Sequence, residues 1–395
     1  MSSAVLGRCF PLVLAGRDVS NATLLTLVPV TRCGMDEIRT GLSYGDVLVV
    51  PQRSGVDSRQ HVDLSTKLTD DVGLATPLLS APMDTVTEAE TAIAMHEAGG
   101  MGTIHRFLAI DEQALEVRRA AEAGATVGAA VGIAGDPLER TSAVIDAGAD
   151  CVMVDVAHGH LEHCLDVVGR LREEHPDVPL VAGNVATREG VADLADAGAD
   201  CVKIGIGPGS HCTTRRVAGA GVPQLTAVRD CAEAAREHGV RTVADGGIRC
   251  SGDAVKALLA GADAVMMGSL FAGTAEAPTP VVEIDGVRYK RSRGMATTAA
   301  AEERSDKDED VRADEGVEGL TPYKGPTAAV ATEFCAGIRS GLSYCGGNTI
   351  LEARAAAEFV RVAPSARERE GSHTDNEWET VSVDSVDYAA AGDDD

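Results

Sequence analysis

Aromatic side chains are scarce in this chain: one Trp, five Tyr and five Phe among 395 residues. A core must therefore be built from aliphatic and small residues. Lysine is scarce too, six against 29 arginines, and acidic residues outnumber basic ones 61 to 35, for a formal charge of −26. Such a charge repels phosphate backbones and anionic membranes, which argues against general nucleic-acid binding. An acid-rich, lysine-poor surface suits a protein kept soluble in concentrated salt. No apolar run approaches the roughly 20 residues needed to span a bilayer. Residues 10–30 come nearest, but Arg17, Asp18, Ser20 and Asn21 interrupt them, and the layout is not that of a signal peptide. The ten cysteines form no CxxC pair, which argues against a zinc site and against a secreted disulfide framework. These absences point to a cytoplasmic protein with neither nucleic acid nor membrane as a partner. The hydrophobic content of 44% supplies a core for one large domain or two ordinary ones.

A recurring phrase organises what is present. Asp146-Ala-Gly-Ala-Asp150 leads into Cys151-Val-Met-Val-Asp155, Asp196-Ala-Gly-Ala-Asp200 into Cys201-Val-Lys-Ile-Gly205, and Ala260-Gly-Ala-Asp263 into Ala264-Val-Met-Met-Gly268. Each reads as the end of an Ala-rich helix, a glycine stop and a short strand buried on both faces, as in parallel sheets. Strands are expected at 77–80, 101–104, 126–131, 151–155, 179–183, 201–205, 241–245 and 264–268. Helical patterns separate most of them, at 88–98, 111–123, 137–147, 161–174, 188–197, 224–238 and 251–259. Eight such units over about 200 residues predict an α/β fold of the (β/α)8 TIM-barrel type rather than an open doubly wound sheet. The catalytic barrel is expected to span 35–365. Met35 precedes the first globular-looking sequence, so residues 1–34 are expected to be a tail or a mis-assigned start. Residues 281–325 follow the eighth strand and include the charged run 302–310, too long and polar for an ordinary loop. They are expected to form a mobile flap over the catalytic face, with an inert solvated insertion as the alternative. An acidic, Ser-rich C-terminal tail occupies 366–395.

In a barrel, function collects at the C-terminal ends of the strands. Those positions hold Asp84, His105, Asp155 with His158, Asn184, the loop after Gly205, Asp245-Gly-Gly247 and Gly268-Ser269. Any one of them could instead cap the next helix. Gly246, Gly247, Gly268 and Ser269 fall after strands seven and eight, where glycines let backbone N–H groups approach a phosphate. The loop after strand six, Gly205-Ile-Gly-Pro-Gly-Ser-His-Cys-Thr-Thr-Arg215, presents Cys212 among polar residues. Cys151 and Cys201 lie inside strands and read as core, whereas Cys212 reads as a nucleophile, active as its thiolate.

That loop resembles the catalytic loop of the IMP dehydrogenase and GMP reductase family. So do Pro82-Met-Asp-Thr-Val86, Val154-Asp-Val-Ala-His-Gly-His160, Gly183-Asn-Val-Ala-Thr187, Ala244-Asp-Gly-Gly-Ile-Arg249, Gly268-Ser-Leu-Phe-Ala-Gly273 and Arg293-Gly-Met295, in family order over residues 41–363. The resemblance implies a barrel, commonly a homotetramer, acting on a purine nucleotide monophosphate (GMP or IMP) with NADPH or NAD. It implies that Cys212 attacks C2 of the purine. Ser210, Asp245, Gly246, Gly247, Gly268 and Ser269 would hold ribose and phosphate, and Gly294 and Met295 would line the base. Asp155 would meet the cofactor ribose, with Gly205, Ile206 and Gly207 beside the nicotinamide. Carbonyls of Gly207, Gly209 and Cys212 would bind potassium in members that use it, with Glu370-Gly-Ser-His373 supplying the neighbouring subunit's share. Thr214 and Glu315 match the pair that moves protons at the base in the reductases.

The family's two reactions share the covalent step and then part. Dehydrogenases hydrolyse the adduct to XMP, using an Arg-Tyr pair on the flap to activate water. Here no Tyr lies between Tyr289 and Tyr323, and Arg304 is followed by Ser305 and Asp306. Dehydrogenases usually insert CBS domains after the second strand, whereas this chain passes from His105 through 106–110 into the next helix. A tyrosine that touches the phosphate elsewhere in the family is replaced by Ser292. Pro51-Gln-Arg-Ser54, Gly268-Ser-Leu-Phe-Ala-Gly-Thr274, Glu315-Gly-Val-Glu-Gly319 and Tyr344-Cys-Gly-Gly347 look more like a dehydrogenase. The missing base decides which reaction can finish, so the expectation is a GMP reductase. IMP dehydrogenase is the alternative, followed by a non-catalytic purine-nucleotide-binding paralogue.

Overall fold

The computed structural model describes residues 38–295, 297 and 315–367. The stretch 1–34, the run 302–310 with Arg304, residues 370–373 and nearly all of the tail at 366–395 lie outside them. Eight parallel strands form a closed barrel: β1 (Leu78–Ser80), β2 (Met101–Ile104), β3 (Val127–Val131), β4 (Cys151–Asp155), β5 (Leu180–Val185), β6 (Cys201–Ile204), β7 (Arg241–Asp245) and β8 (Ala264–Met267). Each hydrogen-bonds its sequence neighbours, and β8 closes the ring by pairing Val265 with Leu78. All eight expected strands are present. β5 runs two residues further than expected, while β6 and β8 stop one residue sooner.

The strands lack polar alternation because both faces are buried. Leu79, Met101, Cys151, Met153, Val181, Cys201, Val243, Ala264 and Met266 point inward and fill the barrel. Val152, Val154, Ala182, Val202, Ile204 and Val265 point outward beneath the helices. A hairpin of Thr66–Lys67 and Gly73–Leu74 closes the N-terminal end, where Leu68, Val72 and Leu74 join the inner cluster. The surrounding helices are α1 (Ala89–Glu97), α2 (Ile110–Glu122), α3 (Pro137–Asp146), α4 (Glu162–Glu174), α5 (Arg188–Asp196), a single turn α6 (Thr214–Val217), α7 (Gln224–His238), α8 (Ser251–Ala260), α9 (Thr327–Tyr344) and α10 (Ile350–Ala356). Their starts follow local chemistry. Asp136 accepts from Glu139 N with Pro137 in the first turn of α3, and Thr187 accepts from Gly190 N to cap α5. Among the described residues no helix is long and apolar enough to cross a membrane.

The segment after β8 is a three-stranded antiparallel sheet of β9 (Val281–Ile284), β10 (Val287–Arg293) and β11 (Glu318–Pro322). Asp285 and Gly286, both at positive φ (53° and 79°), make the tight turn between the first two strands. The chain then returns to the barrel through α9, which stands in the place of the eighth helix.

Candidate active site

The inward parity of the strands continues to their C-terminal rim. Asp155 follows Cys151 and Met153 on β4, Lys203 follows Cys201 on β6, and Asp245 follows Val243 on β7. Lys203, with a side chain only 1% exposed, reaches Asp155 Oδ1 at 2.5 Å and Asp245 Oδ2 at 2.7 Å. Burial opposes its charge, but the two carboxylates outweigh burial and push its pKa up. Asn184 Nδ2 donates to Asp245 Oδ2 (2.9 Å) and to the Gly205 carbonyl (3.0 Å). Gln224 Nε2 donates to the Asp245 carbonyl (3.0 Å).

Gly205 leaves β6 at φ 151°, and a Cβ there would run into the Asp245 carbonyl. Only glycine lets the loop turn at this point. Arg215 braces the loop from within, donating through Nε to Ile206 O and through Nη2 to Val222 O. Burial pushes the Arg215 guanidinium down, and the Cys212 sulfur acts in the opposite sense. The guanidinium and the Cys212 sulfur thus lie close enough to interact. Cys212 Sγ donates to Thr214 Oγ1 at 3.1 Å, and Thr214 Oγ1 donates to Glu315 Oε2 at 2.6 Å. All three side chains are half-buried.

The returning flap carries Glu315 to this point. Thr213 N donates to the Glu315 carbonyl, Val317 N to the His211 carbonyl and Gly294 N to the Val317 carbonyl, each at 2.8–2.9 Å. Cys212 and Gly316 form an antiparallel bridge. Gly294, with Met295 after it, thus lies against the loop that follows β6. A second chain of contacts joins Ser210 Oγ to His211 Nδ1 (3.1 Å), His211 Nε2 to Ser292 Oγ (2.9 Å) and Ser292 Oγ to Thr321 Oγ1 (2.7 Å). Burial pushes the His211 pKa down, so a neutral ring donates with one nitrogen and accepts with the other. Ser292, which replaces the expected tyrosine, is fully buried and turned onto His211. Arg293 pairs with Asp84 at the end of β1, fastening the flap to the barrel.

The remaining sequence-predicted residues gather on the same rim. Gly246 and Gly247 pack against Pro208 and Gly209, and Gly268 against Met83. The Ser269 carbonyl accepts from Lys324 Nζ at 2.9 Å. Gly207 lies over the Arg215 side chain, and the Gly209 carbonyl accepts from Cys212 N at 3.1 Å. A cavity of about 630 Å³ at the opposite end, lined by Lys67, Arg241 and Arg354, contains none of these groups. The sequence assigns no role to Lys203, His211, Arg215 or Gln224, and marks Asp84 as a strand-end residue without its partner Arg293. A lysine at an inward position of an apolar strand was the available signal for the first; nothing local marks the others.

The nicotinamide expected here fits the donor set. Asn184 Oδ1 is buried without a hydrogen-bond partner, between the strand ends that carry Asp155 and Gly205. An unfilled acceptor there suits an amide N–H such as that of a carboxamide.

A closed (β/α)8 barrel that gathers a thiol, a hydroxyl and a carboxylate at its C-terminal rim has the build of a barrel enzyme with a covalent thiol step. The model of the IMP dehydrogenase / GMP reductase domain matches residues 41–373. The chain is 35% identical to inosine-5'-monophosphate dehydrogenase of Nitrosopumilus maritimus, over 83% of this chain and 97% of that one. It is equally 35% identical to GMP reductase of Leishmania major, over 84% and 96%. A crystal structure of a cysteine-to-alanine variant of GMP reductase from Trypanosoma brucei, in complex with guanosine 5'-monophosphate, superposes with a TM-score of 0.81 at 32% identity, covering 86% of this chain and 98% of that one. The chain belongs to the IMP dehydrogenase / GMP reductase family and is an NAD(P)-dependent oxidoreductase. The two sequence alignments run over 460 and 475 positions, longer than this whole chain, so each relative carries a segment without a counterpart here. The reductase has that surplus as well as the dehydrogenase. A surplus segment in a relative therefore does not by itself separate the two reactions.

Proposed function

We propose that the protein is a GMP reductase, converting GMP and NADPH to IMP, ammonia and NADP+ through a covalent bond between Cys212 and C2 of the purine. The observation that carries this reading is the unbroken chain from Cys212 Sγ through Thr214 Oγ1 to Glu315 Oε2. Deamination needs an acid at the departing C2 amino group, beside the attacking sulfur. A carboxyl and a hydroxyl in hydrogen-bonded series next to that sulfur can deliver the proton. Dehydrogenation needs a base for water instead, and the tyrosine of the flap dyad is missing from the sequence between Tyr289 and Tyr323.

In this reading Cys212 attacks as the thiolate, its proton passing along the hydrogen bonds through Thr214 to Glu315. Glu315 passes a proton through Thr214 to the leaving nitrogen, and the adduct remains on sulfur. When bound, the reduced nicotinamide supplies the hydride that frees IMP and returns the thiolate. Asp245 accepts from the nucleotide ribose, while Ser210, Gly246, Gly247, Gly268 and Ser269 hold the phosphate end; Gly294 and Met295 line the base. Asp155 accepts from the cofactor ribose beside Gly205, Ile206 and Gly207. Carbonyls of Gly207, Gly209 and Cys212 offer hard oxygen donors to a potassium ion. The catalytic domain spans 35–365, and the working unit is a cytoplasmic homotetramer.

Absorbance at 340 nm in high potassium chloride tests the direction of the reaction. One cuvette holds GMP with NADPH, the other IMP with NAD+. Loss of signal only in the first supports the reductase. A gain only in the second assigns the chain to IMP dehydrogenase and requires another flap residue to activate water. Silence in both, with nucleotide bound, favours the non-catalytic paralogue.

A further inference from the structure

A buried lysine near the rim of a barrel suggests first an amine nucleophile. Lys203 is not built for that. Its ammonium has three protons and three partners: Asp155 Oδ1, Asp245 Oδ2 and the sulfur of Met266 at 3.8 Å. The carboxylates favour the protonated form, which has no lone pair to attack with. The amine is therefore saturated and stays charged.

Its position in the register is more informative. Asp155 aligns with Gly183, Gly183 with Lys203 and Lys203 with Val243, so Lys203 stands one layer below Asp245 and two strands from Asp155. The strand between Lys203 and Asp155 carries Gly183 at this level, and a Cβ there would press on the Lys203 Cβ and carbonyl at 2.7 Å. The missing side chain opens the path along which Lys203 reaches Asp155. Each carboxylate spends one oxygen on the ammonium. The Asp155 side chain is 27% exposed and that of Asp245 20%.

We propose that Lys203 is a positioning residue that holds the cofactor-side carboxylate, Asp155, and the nucleotide-side carboxylate, Asp245, in fixed register. It thereby sets how the nicotinamide and the purine face one another. This rests on the roles given to the two aspartates under the proposed function. Two carboxylates sharing one buried cation cannot both keep their charge and place once the cation is gone, because like charges at that range repel and one takes a proton.

The test is calorimetric binding of GMP, IMP and NADPH to the full-length wild type and to Lys203→Met, Asp155→Asn and the double variant, each checked by its melting curve. Lys203→Met weakens binding of all three ligands by about 10- to 100-fold, the scale of a charge-assisted hydrogen bond. Asp155→Asn weakens NADPH alone. In the double variant Asp245 faces no second carboxylate and keeps its bond from Asn184, so GMP and IMP affinity returns to within about threefold of wild type while NADPH stays weak. A packing role for Lys203 gives no such selective rescue. If Lys203→Met does not fold, the double variant, which leaves one partly exposed carboxylate in place of two facing one another, still decides the matter. Wild-type affinity for all three ligands in Lys203→Met, or a double variant that folds yet binds nucleotide poorly, overturns the proposal. A wild type that binds neither GMP nor IMP overturns the reading of the site itself. Turnover in the dehydrogenase direction leaves this inference standing, since IMP presents the same ribose.

Discussion

At the scale of single residues, the proposed chemistry rests on three side chains joined by two hydrogen bonds. Cys212→Ala should cut turnover on the order of 10⁴-fold or more, since a covalent nucleophile has no substitute. Calorimetry should still find the nucleotide bound. Thr214→Val and Glu315→Gln should each lower kcat by about 10²- to 10³-fold, the usual range for losing a positioned acid, with KM for GMP little changed. Steady-state kinetics showing KM rising while kcat holds would assign both residues to binding instead. Of these three positions, one is legible in the sequence for a physical reason. Cys212 stands out because it lies in a loop of glycines and hydroxyls rather than in an apolar strand, whereas Thr214 and Glu315 follow from the family resemblance. Lys203 was not legible. It sits in an apolar strand, Cys201-Val-Lys-Ile204, and only the closed barrel reveals that its inward direction ends between two carboxylates.

At the scale of elements, the barrel strands and their helices emerge from pattern because each is a short, locally complete unit. An Ala-rich amphipathic helix, a glycine stop and an apolar strand recur at similar spacing. The segment after β8 reads as a flap or a solvated insertion rather than as a sheet, although Asp285-Gly286 between Val281-Val-Glu-Ile284 and Val287-Arg-Tyr289 is a strong hairpin signal. The charge of the following residues masked it. Helices α9 and α10 were not assigned either. Two changes probe how these elements hold the site. Gly205→Ala meets both the φ of 151° and the Asp245 carbonyl, so it should destabilise the enzyme by about 2 kcal/mol or more and disorder the Cys212 loop. Denaturant midpoints and the rate of Cys212 alkylation report the two effects; a wild-type midpoint would contradict them. Asp84→Asn breaks a pair whose side chains are 14% and 4% exposed, which costs on the order of 3 kcal/mol when one partner is removed. Because Arg293 directly precedes Gly294, activity should fall along with stability. Wild-type activity in that variant would show that the flap base needs no such fastening.

At the scale of the whole molecule, a formal charge of −26 repels itself in dilute buffer. Raising potassium chloride from about 0.1 M to about 1 M shortens the screening length from roughly 10 Å to roughly 3 Å, so the melting temperature should climb steadily over that range. A melting temperature flat with salt would remove repulsion as a factor in stability. The fold and the family were both readable from the sequence, because eight strands, seven helices between them and seven ordered motifs constrain the chain heavily. The direction of the reaction was not, since the relatives of both kinds stand at 35% identity and share the scaffold. It depends on the fate of one group on C2 of the purine. The most direct measurement is therefore ammonia released from GMP against NADPH consumed, by the wild type and by Glu315→Gln. A reductase releases one ammonia per NADPH in the wild type, and both signals fall together in the variant. NADH formed from IMP, with no ammonia from GMP, would contradict this reading.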